Sequence, residues 1–171
     1  MLTTHGKVTQ ARLYSVICAA WLLILMAAGC TVSRYIQLNS QLNQNRQEWT
    51  AQNITNYRYT LKIAAFGPPD ITTPVAIEVT NGIATSIKYQ GGEQMPIMAI
   101  NDIFKSADTV DKLFVIVMNA ISKKPDEIIV DYDATLGYPK KIRIGPLEYV
   151  PDAGIVYFVS DFKVLEDSTS K

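Results

Sequence analysis

Every second residue from 57 to 65 is apolar, and the residues between them up to position 62 are polar. The apolar members are Tyr57, Tyr59, Leu61, Ile63 and Ala65, and Arg58, Thr60 and Lys62 lie between them. Because successive side chains of a strand point to opposite faces, this period predicts a strand with one buried face. Two further alternating runs flank Asn81-Gly82. That dipeptide favours a type I′ turn, so these runs are predicted to form an antiparallel hairpin.

A helical period replaces the strand pattern after residue 107. Apolar residues recur three and four positions apart at Val110, Leu113, Phe114, Val117 and Ile121. Asp108 is the predicted N-cap, and Pro125 is predicted to end the helix. Val115, Ile116 and Met118 widen the apolar stripe, which predicts a deeply buried helix.

Three more strands are predicted at residues 127–132, 140–145 and 154–164. In the last of them, we expect Val156, Phe158, Phe162 and Val164 to share the buried face. Because most connections have hairpin length, the strands are expected to pair antiparallel. The predicted fold is therefore a single α+β domain over residues 49–164. It comprises an antiparallel sheet of about six strands with one buried helix on one face, preceded by a signal or anchor segment and a partly helical tether.

The first 29 residues have the pattern of an export signal. Residues 1–15 contain Lys7 and Arg12 but no acid, and residues 16–28 form an unbroken apolar run. Basic, apolar and small-residue regions in this order are typical of a secretory signal. The end of the segment, Ala27-Ala28-Gly29-Cys30, resembles the lipobox of bacterial lipoproteins. The resemblance implies cleavage before Cys30, diacylglycerol on its thiol, and an acyl chain such as palmitate on the new amine.

An uncleaved anchor is the alternative, because residues 13–32 give a stretch of about 20 residues, enough to span a bilayer. Either way the rest of the chain is expected outside the cytoplasm. It would lie at the cell surface, or at the periplasmic face of the outer membrane in a host with two membranes. Residues 30–48, rich in Asn and Gln, are the predicted lipidated tether, with helix over residues 40–51. Trp49 is predicted to dock on the core, and residues 165–171 are a polar tail.

Histidine and cysteine are confined to the N-terminal region. The single histidine is His5, and the two cysteines are Cys18 and Cys30. The predicted domain therefore lacks the residues for Ser-His-Asp or Cys-His catalysis, for disulfides, and for zinc sites of His and Cys. We expect a protein that is not an enzyme and that needs no cofactor.

The charge balance bears on the partners that the exported part can bind. Of 16 basic residues, Lys7 and Arg12 precede Cys30, which leaves 14 against 16 acidic residues and a formal charge of −2. This balance predicts no extended basic patch, so nucleic acid is not an expected partner. The expected partners are the membrane, through the lipid on Cys30, and a protein of the cell envelope.

Several residues resemble a known pattern when they are taken together. They are Trp49 with Tyr57 and Tyr59, Pro74-Val75 leading to Asn81-Gly82, Leu113-Phe114, Asp131-Tyr132-Asp133 with Gly137-Tyr138-Pro139, and Asp152. The pattern is similar to that of a family of small bacterial lipoproteins whose shared domain has no assigned function. The resemblance covers roughly residues 49–162 and implies a compact lipid-anchored domain, but no activity.

The candidate binding residues are Asp131, Asp133, Tyr138, Lys141 and Arg143. Two acids two positions apart share a strand face, at a spacing that paired-carboxylate hydrolases also use. Solvent exposure, a role for Asp133 in its own turn, and charge pairing with Lys140, Lys141 and Arg143 are the structural interpretation. Tyr138 is interpreted either as a recognition residue or as a packing residue.

Two classes of function remain open. The first is a non-enzymatic module whose sheet face binds a protein or another envelope component. The alternative is a small-molecule or calcium-binding module, with its site near Asp131 and Asp133 or under the apolar loop that contains Met95 and Met98. No metal motif supports the second class, so no metal-binding residue is assigned.

Overall fold

The computed structural model describes residues 34–65, 72–90, 102–145 and 154–166. The chain divides into two units, Met1–Leu38 and Asn39–Lys171. In the first unit, the described residues 34–38 are helical. The predicted export signal, Cys30, the Met95–Met98 loop and Asp152 lie outside the described residues, as does most of the predicted tail.

The second unit is an α+β domain built on a six-stranded antiparallel sheet, as predicted. Its strands are β1 (Tyr57–Ala64), β2 (Val75–Thr80), β3 (Ile83–Tyr89), β4 (Ile128–Tyr132), β5 (Pro139–Ile144) and β6 (Ile155–Val164). They lie side by side in the order β3-β2-β1-β6-β5-β4. The first and last strands of the domain are therefore neighbours at the centre of the sheet, and β3 and β4 form its edges.

Three helical segments of the described residues accompany the sheet. They are α1, over residues 39–51 of the second unit, α2 (Asp102–Lys105) and α3 (Val110–Lys123). The predicted helix over residues 40–51 is thus present. Within the second unit, α1 buries Leu42 and Trp49, so Trp49 docks on the core as predicted.

The core lies on one face of the sheet, which we call the inner face. The alternating positions of β1 that were predicted to be buried, from Tyr57 to Ile63, are buried, and Val75, Ile77 and Val79 of β2 join them. α3 covers this face with Val110, Leu113, Phe114, Val117 and Ile121, all buried. The predicted hairpin turn is also present, since Asn81 and Gly82 have φ values of 53° and 75°.

Two tyrosines of β1 hold the start of α3 against the inner face. The hydroxyl of Tyr59 donates to the carbonyl oxygen of Ala107 at 2.6 Å, and the backbone N–H of Val110 donates to the hydroxyl of Tyr57 at 3.0 Å. Burial raises the pKa of Tyr57 to about 12 and that of Tyr59 well above its usual value. Both hydroxyls thus satisfy backbone groups that packing would otherwise leave without a partner.

Two expectations about α3 are wrong. Its N-cap is Thr109, whose side chain accepts from the backbone N–H of Lys112, whereas the carboxylate of Asp108 pairs with Nζ of Lys112 at 2.7 Å. The helix is also buried on one face only, because Val115 and Met118 remain 42% and 44% exposed. The apolar stripe of α3 is therefore wider than the part of the helix that packs against the sheet.

The predicted common face of β6 is wrong as well. The pairing of β1 with β6 shifts between Arg58 and Thr60, and Asp161 has a φ of 52°. A bulge of this kind inserts extra residues and reverses the alternation of side chains beyond it. Before the bulge, Tyr157 and Val159 are buried and Phe158 is 37% exposed. After it, Phe162 contacts the core aromatics.

Candidate functional site

The sheet face opposite the core, which we call the outer face, carries the predicted charged residues. The register places Lys141 opposite Asp131 of β4 on one side and opposite Phe158 of β6 on the other. Nζ of Lys141 lies 5.9 Å from the centroid of the Phe158 ring, within the range of a cation–π contact. Asp131 and Lys141 are therefore cross-strand neighbours, as predicted.

Arg143 joins the same face but has a different partner from the expected one. Its Nε donates to a carboxylate oxygen of Glu127 at 3.0 Å, and the register places Ile129 opposite it. Both partners are partly exposed, with 51% and 39% of their side-chain surface accessible. Water therefore screens the pair, and it contributes little to stability.

Asp133 is engaged in the turn that follows β4. Its Oδ1 accepts from the backbone N–H of Thr135 at 3.0 Å and of Leu136 at 2.9 Å. The backbone N–H of Gly137 donates to the carbonyl oxygen of Asp133 at 3.0 Å. This arrangement agrees with the interpretation of Asp133 as a turn residue. It also leaves one carboxylate oxygen fewer for a metal ion or for acid–base chemistry.

Tyr138 packs in the core and is only 6% exposed. Its ring stacks on Phe162 with centroids 4.3 Å apart and meets Trp49 edge-on at 6.4 Å. Burial, and then the nearby carboxylate of Asp133, raises the pKa of Tyr138 to about 12. The packing interpretation of Tyr138 is therefore confirmed, and its ring is not available on the outer face.

The outer face contains further basic residues that sequence reasoning did not assign to a site. Lys62 lies opposite Phe158, and Arg58 lies opposite Lys163. All three basic side chains belong to exposed residues, and in the described part of the chain none of them forms an ion pair. The alternation in β1 already places Arg58 and Lys62 on the exposed side. The alternation does not show which strand pairs with β1. That strand is β6, which brings Lys163 and Phe158 beside Arg58 and Lys62.

The basic residues are nevertheless distributed unevenly over the described part of the chain. Among the described residues, six basic side chains share the outer face: Arg58, Lys62, Lys88, Lys141, Arg143 and Lys163. The register places two acids within the same rows, Glu78 opposite Arg58 and Asp131 opposite Lys141. Glu127 pairs with Arg143, and Asp161 lines the same surface cavity as Arg58 and Lys163. A formal charge near zero for the whole chain therefore conceals an excess of positive charge on one face.

Two properties of the described residues bear on function. In this part of the chain, no group of three or more His, Cys, Asp and Glu side chains is arranged to hold a metal ion. None of the described helices combines the length and the apolar character that crossing a membrane requires.

Comparisons with known proteins assign the chain to a family. No curated protein and no solved structure is similar enough to count as a match. A family model described as "Family of unknown function (DUF6174)" matches residues 41–164, a range that includes all six strands and the buried residues Leu42 and Trp49 of α1. The chain therefore belongs to this family of unknown function.

Proposed function

We propose that this protein is exported, is held at a membrane by a lipid on Cys30, and acts there as a non-enzymatic binding module. The signal pattern of residues 1–29 and the small residues before Cys30 support the anchoring. The contact is made through the outer face of the sheet, to a protein or another component of the cell envelope. The mature protein needs no cofactor for this role.

The observation that carries the binding proposal is the composition of the outer face. Lys62 and Lys141 flank the exposed Phe158, and Asp131 follows Lys141, in one row across four strands. Charged side chains around an exposed aromatic residue provide both electrostatic attraction and apolar contact area for a partner. The sensitivity of such contacts to salt separates this mode of binding from a purely apolar one.

The chemistry of the site residues supports a role without catalysis. A carboxylic acid that donates a proton near neutral pH needs burial to raise its pKa. Asp131 belongs to an exposed position opposite Lys141, and Oδ1 of Asp133 accepts two backbone N–H groups. Asp131 is thus exposed beside a positive charge, and Asp133 is engaged in its own turn, so neither carboxylate has the buried setting that a proton donor needs.

Crosslinking in intact cells tests the binding proposal. A photoreactive amino acid at position 158 should capture a component of the envelope, and Lys141→Glu with Arg143→Glu should reduce that capture several-fold. The matched control is Lys105→Glu with Lys123→Glu, which changes the net charge equally at residues outside the outer face. Equal capture by both double variants would refute a charged contact at this face.

The anchoring proposal has its own test. Cys30→Ala should abolish incorporation of a labelled fatty acid and leave the precursor with residues 1–29 attached. A wild-type protein that retains these residues and carries no lipid would instead be an uncleaved membrane anchor. That result would rule out lipid modification of Cys30, while the proposed binding role of the outer face would be unaffected.

A further inference from the structure

We propose that the outer face of the sheet docks on an anionic phospholipid surface through its basic residues, with Phe158 as the apolar contact. This inference rests on the proposed function of the same face and names its partner. The occupant is identified by charge complementarity, because phospholipid headgroups such as phosphatidylglycerol present a plane of negative charge.

Charge segregation is the first support. The chain after residue 29 has an excess of acids, with 16 against 14 basic residues, yet the described outer face has six basic residues and four acids, which are Glu78, Glu127, Asp131 and Asp161. Arg58 and Lys163 are adjacent across β1 and β6, as like charges. Like charges directly opposite each other destabilise a sheet. Glu78, opposite Arg58, and Asp161, which lines the same surface cavity as Arg58 and Lys163, offset part of this repulsion, and an external anion would offset more of it.

The arrangement of the basic groups suits a surface better than a pocket. Lys62 and Lys141 lie two strands apart, and they flank Phe158 at a separation of roughly 10 Å given the usual strand spacing. Arg58 lies four positions from Lys62 on the same strand, roughly 13 Å along it. Positive charges spread over such an area of a sheet can meet several headgroups at once.

The free state of the lysines favours lipid over a folded acidic protein. In the described residues, the ammonium groups of Lys62 and Lys163 form no ion pair with a protein acid. A specific protein interface gains affinity from side chains that are held in place before binding. Lipid headgroups instead move laterally and can adjust to flexible lysines, so no such ordering is required of either side.

Phe158 adds an apolar element at the centre of the same row. Its ring is 37% exposed although it belongs to a strand whose neighbouring residues Tyr157 and Val159 are buried. Aromatic side chains among basic ones are typical of protein surfaces that lie in the interface of a bilayer. The ring would enter the headgroup layer while Lys62 and Lys141 contact the phosphates beside it.

Lysine footprinting on the full chain tests the proposal. The protein, extracted with its own anchor, is reconstituted into nanodiscs of phosphatidylcholine alone or of phosphatidylcholine mixed equally with phosphatidylglycerol. An amine-reactive reagent then labels exposed lysines, and mass spectrometry gives the rate at each position. In the anionic discs, labelling of Lys62, Lys141 and Lys163 should slow several-fold, whereas labelling of Lys105 and Lys123 should not change.

Variants and salt supply the controls. High ionic strength should remove the protection, because it screens the attraction between the face and the headgroups. Lys62→Glu with Lys163→Glu should abolish the protection of Lys141, and Lys105→Glu with Lys123→Glu should leave it intact. Phe158→Ser should weaken the protection without abolishing it.

The outcomes separate this inference from the proposed function. Equal labelling in neutral and anionic discs would overturn docking on lipid. If the same lysines are then protected only in intact cells, at the position where crosslinking captures a protein, the face binds a protein and the proposed function stands. If they are labelled freely in cells as well and nothing is captured, both proposals fail.

Discussion

A Cβ atom added to Gly137 would lie 2.5 Å from the backbone carbonyl oxygen of Asn45. Gly137 belongs to the turn between β4 and β5, and Asn45 belongs to α1. The same added atom would lie 3.0 Å from the Cβ of Glu48. The turn therefore packs directly against this part of α1, close to the contact between Trp49 and Tyr138.

Gly137→Ala should therefore destabilise the domain more than Gly82→Ala does. Both glycines have a φ of 75°, so both substitutions impose a similar backbone strain of about 1–2 kcal/mol. Only at position 137 does the new methyl group also collide with a helix, whereas nothing lies within 4 Å of it at position 82. Urea unfolding measures the difference in the free energy of unfolding between the two variants. Equal losses of stability would show that α1 does not pack against this turn.

The two phenylalanines that were expected to be buried should respond differently to truncation. Phe114 is 2% exposed and Phe158 is 37% exposed. Phe114→Ala should cost about 3–5 kcal/mol, the usual range for a buried phenylalanine. Phe158→Ala should cost well under half as much, because the ring lies on the outer face. If chemical denaturation shows comparable losses in the free energy of unfolding for both variants, Phe158 is buried in the core.

Removal of the Tyr59 hydroxyl should destabilise the loop before α3. Tyr59→Phe leaves the buried carbonyl oxygen of Ala107 without its 2.6 Å hydrogen bond, at a cost of about 1–3 kcal/mol. Tyr157→Phe is the matched control, because no hydrogen bond of the Tyr157 hydroxyl occurs among the described residues. Its cost should stay within about 0.5 kcal/mol. The same loss for both variants in urea unfolding would contradict a specific role of the Tyr59 hydroxyl.

The tyrosines also predict how the stability depends on alkaline pH. Burial raises the pKa of Tyr57, Tyr132 and Tyr138 from 10.0 to about 12. In the unfolded chain these hydroxyls lose their protons first, so the stability that their neutral forms contribute is fully present below pH 10. It falls as the pH rises from about 10 to about 12.

Two measurements check this dependence. The melting temperature should decrease steadily above about pH 10, and the ultraviolet band of tyrosinate should develop later in the folded protein than in urea. The control is Tyr138→Phe, which removes one of the shifted groups and should make the decrease shallower. A melting temperature that stays constant up to about pH 12 would contradict the shifted pKa values.

Several elements of the fold follow from local patterns in the amino-acid sequence. Alternation from Tyr57 to Ile63 specifies a strand with one buried face, Asn81-Gly82 specifies its hairpin because both residues adopt positive φ, and the stripe from Val110 to Ile121 specifies α3. Each signal acts over a few residues, so the chain carries it without reference to distant parts. The candidate residues Asp131 and Lys141 were also found in this way, since a short turn joins their strands.

Other features depend on residues that are distant in sequence and meet only in the folded domain. The central pairing of β1 with β6 joins residues about a hundred positions apart and brings Arg58 beside Lys163, a neighbour that no local pattern contains. The bulge at Asp161 moves Phe158 to the outer face, because a single shift in register reverses every side chain beyond it. The lack of space for a side chain at Gly137 likewise results from α1, which is far from it in sequence. Local backbone preferences act within a turn or a strand, whereas register and the contents of a face are set by the strands that pair.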